Sequence, residues 1–379
     1  MRVLIAGGGI GGLSAALALH AAGIEATVLE SARELRPLGV GINLLPDAVA
    51  ELIALGLGDR LAEIGIATAE HVYVDRFGGE LFTEPRGLAA GQHAPQYSVH
   101  RGRLQMMLLD AVRDRLGDAA IHTGARVTTF EQAGGEVRVD AGESTLTADI
   151  LVGADGIHST IRAQLHPIND PLRWSGVQMW RGVTPGAPFL TGRSAVLARG
   201  PEHAEIIVYP IGADEINWVA MLPVGAPGLL PGSANWNTPG RVDDILPHLD
   251  WDLGWLNIGN LLRDSTSLFE YPMTDKDPLP FWGAGHVTLL GDAAHPMYPV
   301  GANGGTQAIL DATALAAAIR ADGVAGLAVY ERIRRTATTQ VVRANRAMQR
   351  TSNEFRPTEL ARITTTYREQ TTQHAGTTH

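Results

Sequence analysis

A chain of 379 residues with 45% hydrophobic and 18% charged residues has globular composition and is long enough for two joined domains. Its formal net charge of −10 argues against nucleic acid as a principal partner, because phosphate backbones are held by clustered Lys and Arg. The absence of cysteine excludes disulfides, zinc–thiolate sites and thiolate catalysis. With no legible signal peptide or uninterrupted apolar run of membrane length, the expectation is a soluble cytoplasmic protein with no metal site and no membrane partner.

In chain order, residues 2–6 (RVLIA) predict a buried strand, followed by a glycine turn and an Ala/Leu-rich helix that Gly23 ends. A second buried strand, 26–29, closes on Glu30 and completes a strand–helix–strand unit. Gly7, Gly9 and Gly12 match G-x-G-x-x-G. The first permits a tight turn, the second lets the backbone approach a pyrophosphate, and the third allows close helix–strand contact. The helix N-terminus then offers free N–H groups to phosphate oxygens. Alone this pattern is weak, since a structural glycine loop looks the same. A strand before it, a helix after it and Glu30 at ribose distance favour dinucleotide binding, with FAD or NAD preferred over NADP because a carboxylate repels a 2′-phosphate.

Helices are expected over 51–65 and 104–117, and strands over 125–152 around the Gly134-Gly135 turn. The segment GADGIHSTIR (153–162) follows a buried strand and by itself reads as a strand-to-helix loop capped by Ser159. From about 173 to 280, Trp and Pro accumulate, and QMWRGV, AEIIVYPI, INWVAMLPV and FEYPM read as antiparallel strands. Glu205 and Tyr209 alternate onto one strand face. Tyr209 could hydrogen-bond a substrate and Trp180 and Trp218 could stack on it, although large aromatics in a β domain are usually core.

Beyond 281 the pattern returns to αβ, with a strand (HVTLLG), a glycine-rich loop, a helix to about Arg320 and another over 326–350; the Thr/Gln-rich end from about 364 is expected to be loosely ordered. In GDAAHPMYPVGANGG (291–305), Asp292 ends a strand and Gly301, Gly304 and Gly305 leave N–H groups uncovered at a helix start. Such a terminus stabilises negative charge, as a reduced flavin carries. His158 and His295 are expected to hydrogen-bond structurally rather than catalyse.

The three loops, in this order, resemble the aromatic-ring hydroxylase family of FAD monooxygenases, the p-hydroxybenzoate hydroxylase fold, over residues 1 to about 345. The resemblance implies an α/β architecture: a Rossmann-like FAD-binding domain (1–70, 98–172 and 281–345) with an inserted, mostly antiparallel β substrate-binding domain (71–97 and 173–280), then a C-terminal helix and tail (346–379). It implies that Gly7, Gly9, Gly12 and Glu30 hold the AMP half of FAD, that the Val127 backbone contacts adenine, and that Arg101 reaches the flavin side. Asp292 would bind the ribityl chain, Pro299, Gly301, Ala302 and Asn303 would line the flavin ring, and Asp155 would serve both cofactors indirectly.

It further implies that NADH or NADPH donates electrons without a second dinucleotide motif, and that O2 adds at the flavin C4a carbon to form a hydroperoxide. That species would then hydroxylate a small aromatic substrate, with loss of carbon dioxide where the attacked carbon bears a carboxylate. No protein nucleophile is required. Within the family, RPLGVGIN (36–43), EPRG (84–87), PQYSVHRG (95–102), MWRGVT (179–184), DWDLGW (250–255) and EYPM (270–273) resemble the phenazine monooxygenases, while Pro296 and the stretch 185–205 depart from them. A phenazine-like or salicylate-like substrate follows, taken by a monomer or homodimer. A halogenase, which DWDLGW does not match, and a non-catalytic flavoprotein that sequesters an aromatic compound remain the competing readings.

Overall fold

The computed structural model describes residues 1–168, 170–230, 238–352 and 366–367; nearly all of the expected loosely ordered tail lies outside the described residues. Five strands form a parallel sheet in the order Val287–Leu289, Ile150–Gly153, Arg2–Ala6, Glu25–Glu30 and Ile121–Thr123. Helices cover it, so its strands are buried along their length: Val3, Ile5, Val28, Ile150, Leu151, Val152, Val287 and Leu289 are all fully enclosed. Register sets Ala6 beside Gly153 and Gly153 beside Leu289. The loops that follow these three strands therefore leave from one edge, side by side. That edge is where open α/β sheets bind ligands.

The helix Ile10–Ala21 packs between Arg101–Leu116 and Asn303–Asp322. The single helix expected over 51–65 is two, Pro46–Ala54 and Gly58–Ile64, because Gly56 takes a left-handed φ of 70° between them. His100 caps Arg101–Leu116, its Nδ1 accepting from the N–H groups of Gly102 and Arg103. The helical stretch Asn303–Arg350 contains a window apolar enough, by length and composition, to cross a membrane, although polar residues interrupt it. Here its Ile309, Ala312 and Leu315 are buried in the core against the parallel sheet.

A second, nine-stranded sheet runs Thr238–Pro239, Ser267–Asp275, Arg173–Pro185, Glu215–Pro223, Glu205–Pro210, Ser194–Arg199, Glu70–Asp75 and Glu80–Pro85, with Gly228–Leu229 paired onto Arg173–Pro185. Alternation along each strand divides its side chains between two faces. One face, with Trp180, Val196, Ile206, Val208, Trp218 and Ala220, is covered by the helices Val242–Leu249 and Ile258–Arg263. The other, with Met179, Val183, Tyr209, Met221 and Tyr271, looks toward Val40, Tyr298 and Val300 of the first unit. A small sheet of Gly41–Leu44, Gln96–His100 and Gly65–Thr68 joins the two. Gly41 comes so close that a Cβ there would lie 2.7 Å from Asn217 Cβ.

Candidate cofactor and substrate site

The glycine loop divides its work among three positions. A Cβ on Gly7, whose φ is 109°, would lie 2.4 Å from the Ala154 carbonyl oxygen, and one on Gly12 would lie 2.0 Å from the Gly7 carbonyl oxygen. Those two glycines are required by packing. Around Gly9 nothing lies within 4 Å of the same position, so its face is open to a ligand. The helix that follows has no side-chain cap, which leaves its first N–H groups available. Glu30 accepts from Gly8 N at 2.7 Å, Ala32 N at 2.6 Å and the Ser31 hydroxyl at 3.0 Å, which fixes its carboxylate at the loop's rim. Gly124 and Ala125 donate to the carbonyls of Ala32 and Glu30, both at 2.8 Å, and bring residues 124–127 alongside. Val127 buries its side chain, and in the hairpin ladder it stands opposite Ala141.

Asp155 turns back onto its own helix. It accepts from the Ser159 hydroxyl at 2.5 Å and Thr160 N at 2.7 Å, while Ser159 caps Arg162 N at 2.9 Å. Burial raises its carboxyl pKa and these bonds oppose the rise. Its role is to shape the turn. Arg162, to which the sequence assigned nothing, is 1% exposed and donates to the carbonyls of Ala293 and Ala294 at 3.1 and 2.9 Å. It pairs with Asp170 at 2.6 Å and so locks the second loop to the third.

In the third loop Asp292 is surrounded by protein yet open to the cleft. Burial raises its carboxyl pKa, opposed by His295 and by Arg101 from the Arg101–Leu116 helix. His295 is held by Asp311 at 2.6 Å, and Asp311 also binds Arg334 at 2.7 Å and Gly291 N at 3.0 Å. Burial alone would raise Asp311, but His295 and Arg334 bring it down to about 2. These partners lie 16 and 23 residues from Asp311, and no local pattern announces them.

Gly301 and Ala302 both take left-handed φ values, 68° and 61°, and turn the chain into Asn303–Asp322. No side chain caps this helix either, and the Gly304 face is open. Pro299 and Gly301 lie exposed on the loop. Asn303 corrects the expectation for its side chain: it is 1% exposed and its Nδ2 donates to the Tyr367 hydroxyl at 2.7 Å, so only its backbone faces outward. Two uncapped helix starts, two open glycines and a carboxylate toward each end fit an extended dinucleotide with a flavin, FAD.

Across the cleft, Met179, Met221 and Tyr271 form an apolar wall with Tyr298 and Val300. Arg181 stands among them, donating to the Tyr271 hydroxyl at 2.9 Å and to the Gly41 carbonyl. Asn217 Oδ1 accepts from Gly41 N at 2.6 Å. The Tyr209 phenol is on this face beside Arg181 and Asn217, and burial raises its pKa. Glu205 shares that strand's parity and is ion-paired with Arg199. Trp180 and Trp218 are corrected, because parity turns both to the opposite face. Trp218 is fully buried, donating to Thr184 Oγ1 at 3.1 Å and Ser265 Oγ at 3.0 Å, and Trp180 donates to Glu270 at 3.0 Å. Both are core. Arg181, missed by the sequence reading, lies between positions that it weighed.

A family model described as "FAD binding domain" matches residues 1–217 and 277–345. The chain is 51% identical over 391 aligned positions to phenazine 1,6-dicarboxylic acid hydroxylase PhzS of Lysobacter antibioticus, covering 97% of this chain and 96% of that one. It is 31% identical to 3-hydroxybenzoate 6-hydroxylase of Polaromonas naphthalenivorans (strain CJ2), over 92% of this chain and 88% of that one. Among solved structures, HpxO of Klebsiella pneumoniae, complexed with FAD and uric acid, matches with a TM-score of 0.80 at 26% identity, covering 98% of this chain and 93% of that one.

Proposed function

The chain belongs to the FAD-dependent aromatic-ring monooxygenases, and from that premise we propose that it hydroxylates a phenazine-like substrate with NADH or NADPH and O2. The observation that carries this reading is the apolar wall of Met179, Met221 and Tyr271 set against the loop that runs from Asp292 to Asn303. It offers a flat aromatic compound a place beside the cofactor loop. The 51% identity to a phenazine hydroxylase supports the substrate class.

When bound, FAD supplies the acceptance of hydride from the nicotinamide and the activation of oxygen for transfer to the ring. The chain's own residues bind, orient and exclude water. Gly9 and the first N–H groups of Ile10–Ala21 receive the pyrophosphate, Glu30 the ribose, and Asp292 the ribityl hydroxyls. Arg101 and the start of Asn303–Asp322 stabilise negative charge on the flavin side. The methionines and Tyr271 keep water from the reacting carbon, and Tyr209 is placed to hydrogen-bond the substrate. Where the attacked carbon bears a carboxylate, carbon dioxide leaves as the ring regains aromaticity. The same reading takes the enzyme to be cytoplasmic, a monomer or homodimer, with its substrate domain made from 71–97 and 173–280.

The test is NAD(P)H oxidation by the purified yellow protein with phenazines, salicylates and quinolones as candidates. A phenazine acid should stimulate oxidation and yield a product with one oxygen gained, with or without loss of carbon dioxide, by mass spectrometry. A flavin that no aromatic causes to be reduced would favour the sequestering flavoprotein instead.

A further inference from the structure

We propose that Arg181, with Tyr209, Tyr271 and Asn217 around it, receives a carboxylate carried by the aromatic substrate and so decides which aromatics the enzyme accepts. The inference rests on the hydroxylase reading and adds the charge of the substrate to it.

Arg181 lies on the cleft-facing side of Arg173–Pro185 and is half-buried. One of its terminal nitrogens donates to the Tyr271 hydroxyl and the other to the Gly41 carbonyl, while its Nε is enclosed with no acceptor. A guanidinium has five N–H donors and stays charged at every physiological pH. With Tyr209 also hydrogen-bonded to the guanidinium, its partners are two phenols and a carbonyl, none of them a carboxylate.

The missing element is a counter-charge. Among the described residues the other buried arginines have one: Arg162 is paired with Asp170, and Arg334 with Asp311. Among the described residues Arg181 has no carboxylate within ion-pair distance, since Glu205 is paired with Arg199, Glu215 with Arg103 and Asp275 with Arg346. The side chains that face it, those of Tyr209 and Tyr271, are phenols and not carboxylates. Asn217 hydrogen-bonds the Tyr209 phenol and Gly41 N, so it too brings no counter-charge to this face. A charge held away from water without a partner is costly, and a neutral donor would tether Gly41 equally well. An anion arriving with the ligand supplies what the protein omits. Because Met179, Met221 and Tyr271 adjoin Arg181, the same cleft holds an apolar surface for a ring and a cationic end for its acid group.

The test uses the holoenzyme and two probes of equal shape, phenazine-1-carboxylate and phenazine-1-carboxamide. Binding is read from the change in flavin absorption on titration, and catalysis from NAD(P)H oxidation. Wild type should bind the carboxylate about 10-fold or more tighter than the amide, the scale of a hydrogen bond to a charged group. Arg181→Gln, with FAD content verified, should lower the carboxylate-to-carboxamide ratio of kcat/KM about 10-fold or more, mainly through KM, and Arg181→Lys should restore part of it. Equal binding of the two probes by wild type overturns the proposal, whether or not the variants fold. So does an equal loss for both probes in Arg181→Gln, which would make the residue a tether. Preferential binding without hydroxylation of either probe would leave this site standing and remove the hydroxylase reading; hydroxylation without preference would do the reverse.

Discussion

Glu30 ends one strand of the parallel sheet and Asp292 lies in the turn just beyond another, Val287–Leu289, but their surroundings differ. Glu30 is engaged by Gly8, Ser31 and Ala32, whereas Asp292 accepts no hydrogen bond among the described residues and opens to the cleft. Asp292→Ala should therefore weaken FAD retention by about 5- to 100-fold, the range for removing a hydrogen-bond partner from an enclosed group. The ratio of flavin to protein absorbance after gel filtration reads this directly, and unchanged flavin content would remove Asp292 from the cofactor's contacts. Trp218 is the opposite case. Its indole bonds two hydroxyls on the covered face, so Trp218→Phe should cost about 1–3 kcal/mol of stability and leave KM for the aromatic substrate within about twofold. Urea titration and steady-state kinetics together check it; a raised KM with unaltered stability would return the indole to the site.

The strands Arg173–Pro185 and Glu215–Pro223 show where sequence reading stops. Buried strand, glycine turn and helix were legible at residues 2–22, because period and glycine placement are local signals. Alternation also correctly grouped Glu205 with Tyr209. It could not say which parity meets the cofactor, since each face of this sheet is apolar and each is covered. The indoles at 180 and 218 suit either face by composition; register decided the matter by setting Trp218 opposite Gly182. A Cβ on Gly182 would lie 2.4 Å from that indole. Gly182→Ala should thus destabilise by about 1–3 kcal/mol through overpacking. The double variant with Trp218→Phe should recover part of this loss in thermal melts, and strict additivity of the two losses would contradict the contact.

The whole molecule is joined by charged links of long sequence separation, which is why sequence reading found none of them. Arg346, in Gly326–Ser352, binds Asp275 and Asp277 of the substrate side, and Lys276 binds Asp170. Asp311 is the hub beneath the flavin loop, holding His295, Arg334 and Gly291 N. Its folded pKa of about 2 lies below the ordinary 3.8, so the native state binds fewer protons. The stability it contributes is present above about pH 4 and is lost as pH falls toward about 2. Urea unfolding across that interval should show a falling acid limb that Asp311→Asn flattens, with about 3–5 kcal/mol lost at neutral pH because buried Arg334 loses its counter-charge. An acid limb of unchanged slope in the variant would assign the loss to other carboxylates.

The two-sided central sheet also bears on how such an enzyme can diversify. Along Arg173–Pro185 and Glu215–Pro223, odd-numbered positions such as 179, 181 and 221 lie on the face toward Tyr298 and Val300, while even-numbered ones such as 180, 218 and 220 hold the chain together. A library randomised at the odd set alone would explore new chemistry at little expense in folded yield, whereas one spread over both would mostly produce aggregates. Selection acting on single substitutions meets the same comb: acceptance of a new ring can drift on one set of teeth while the other stays still.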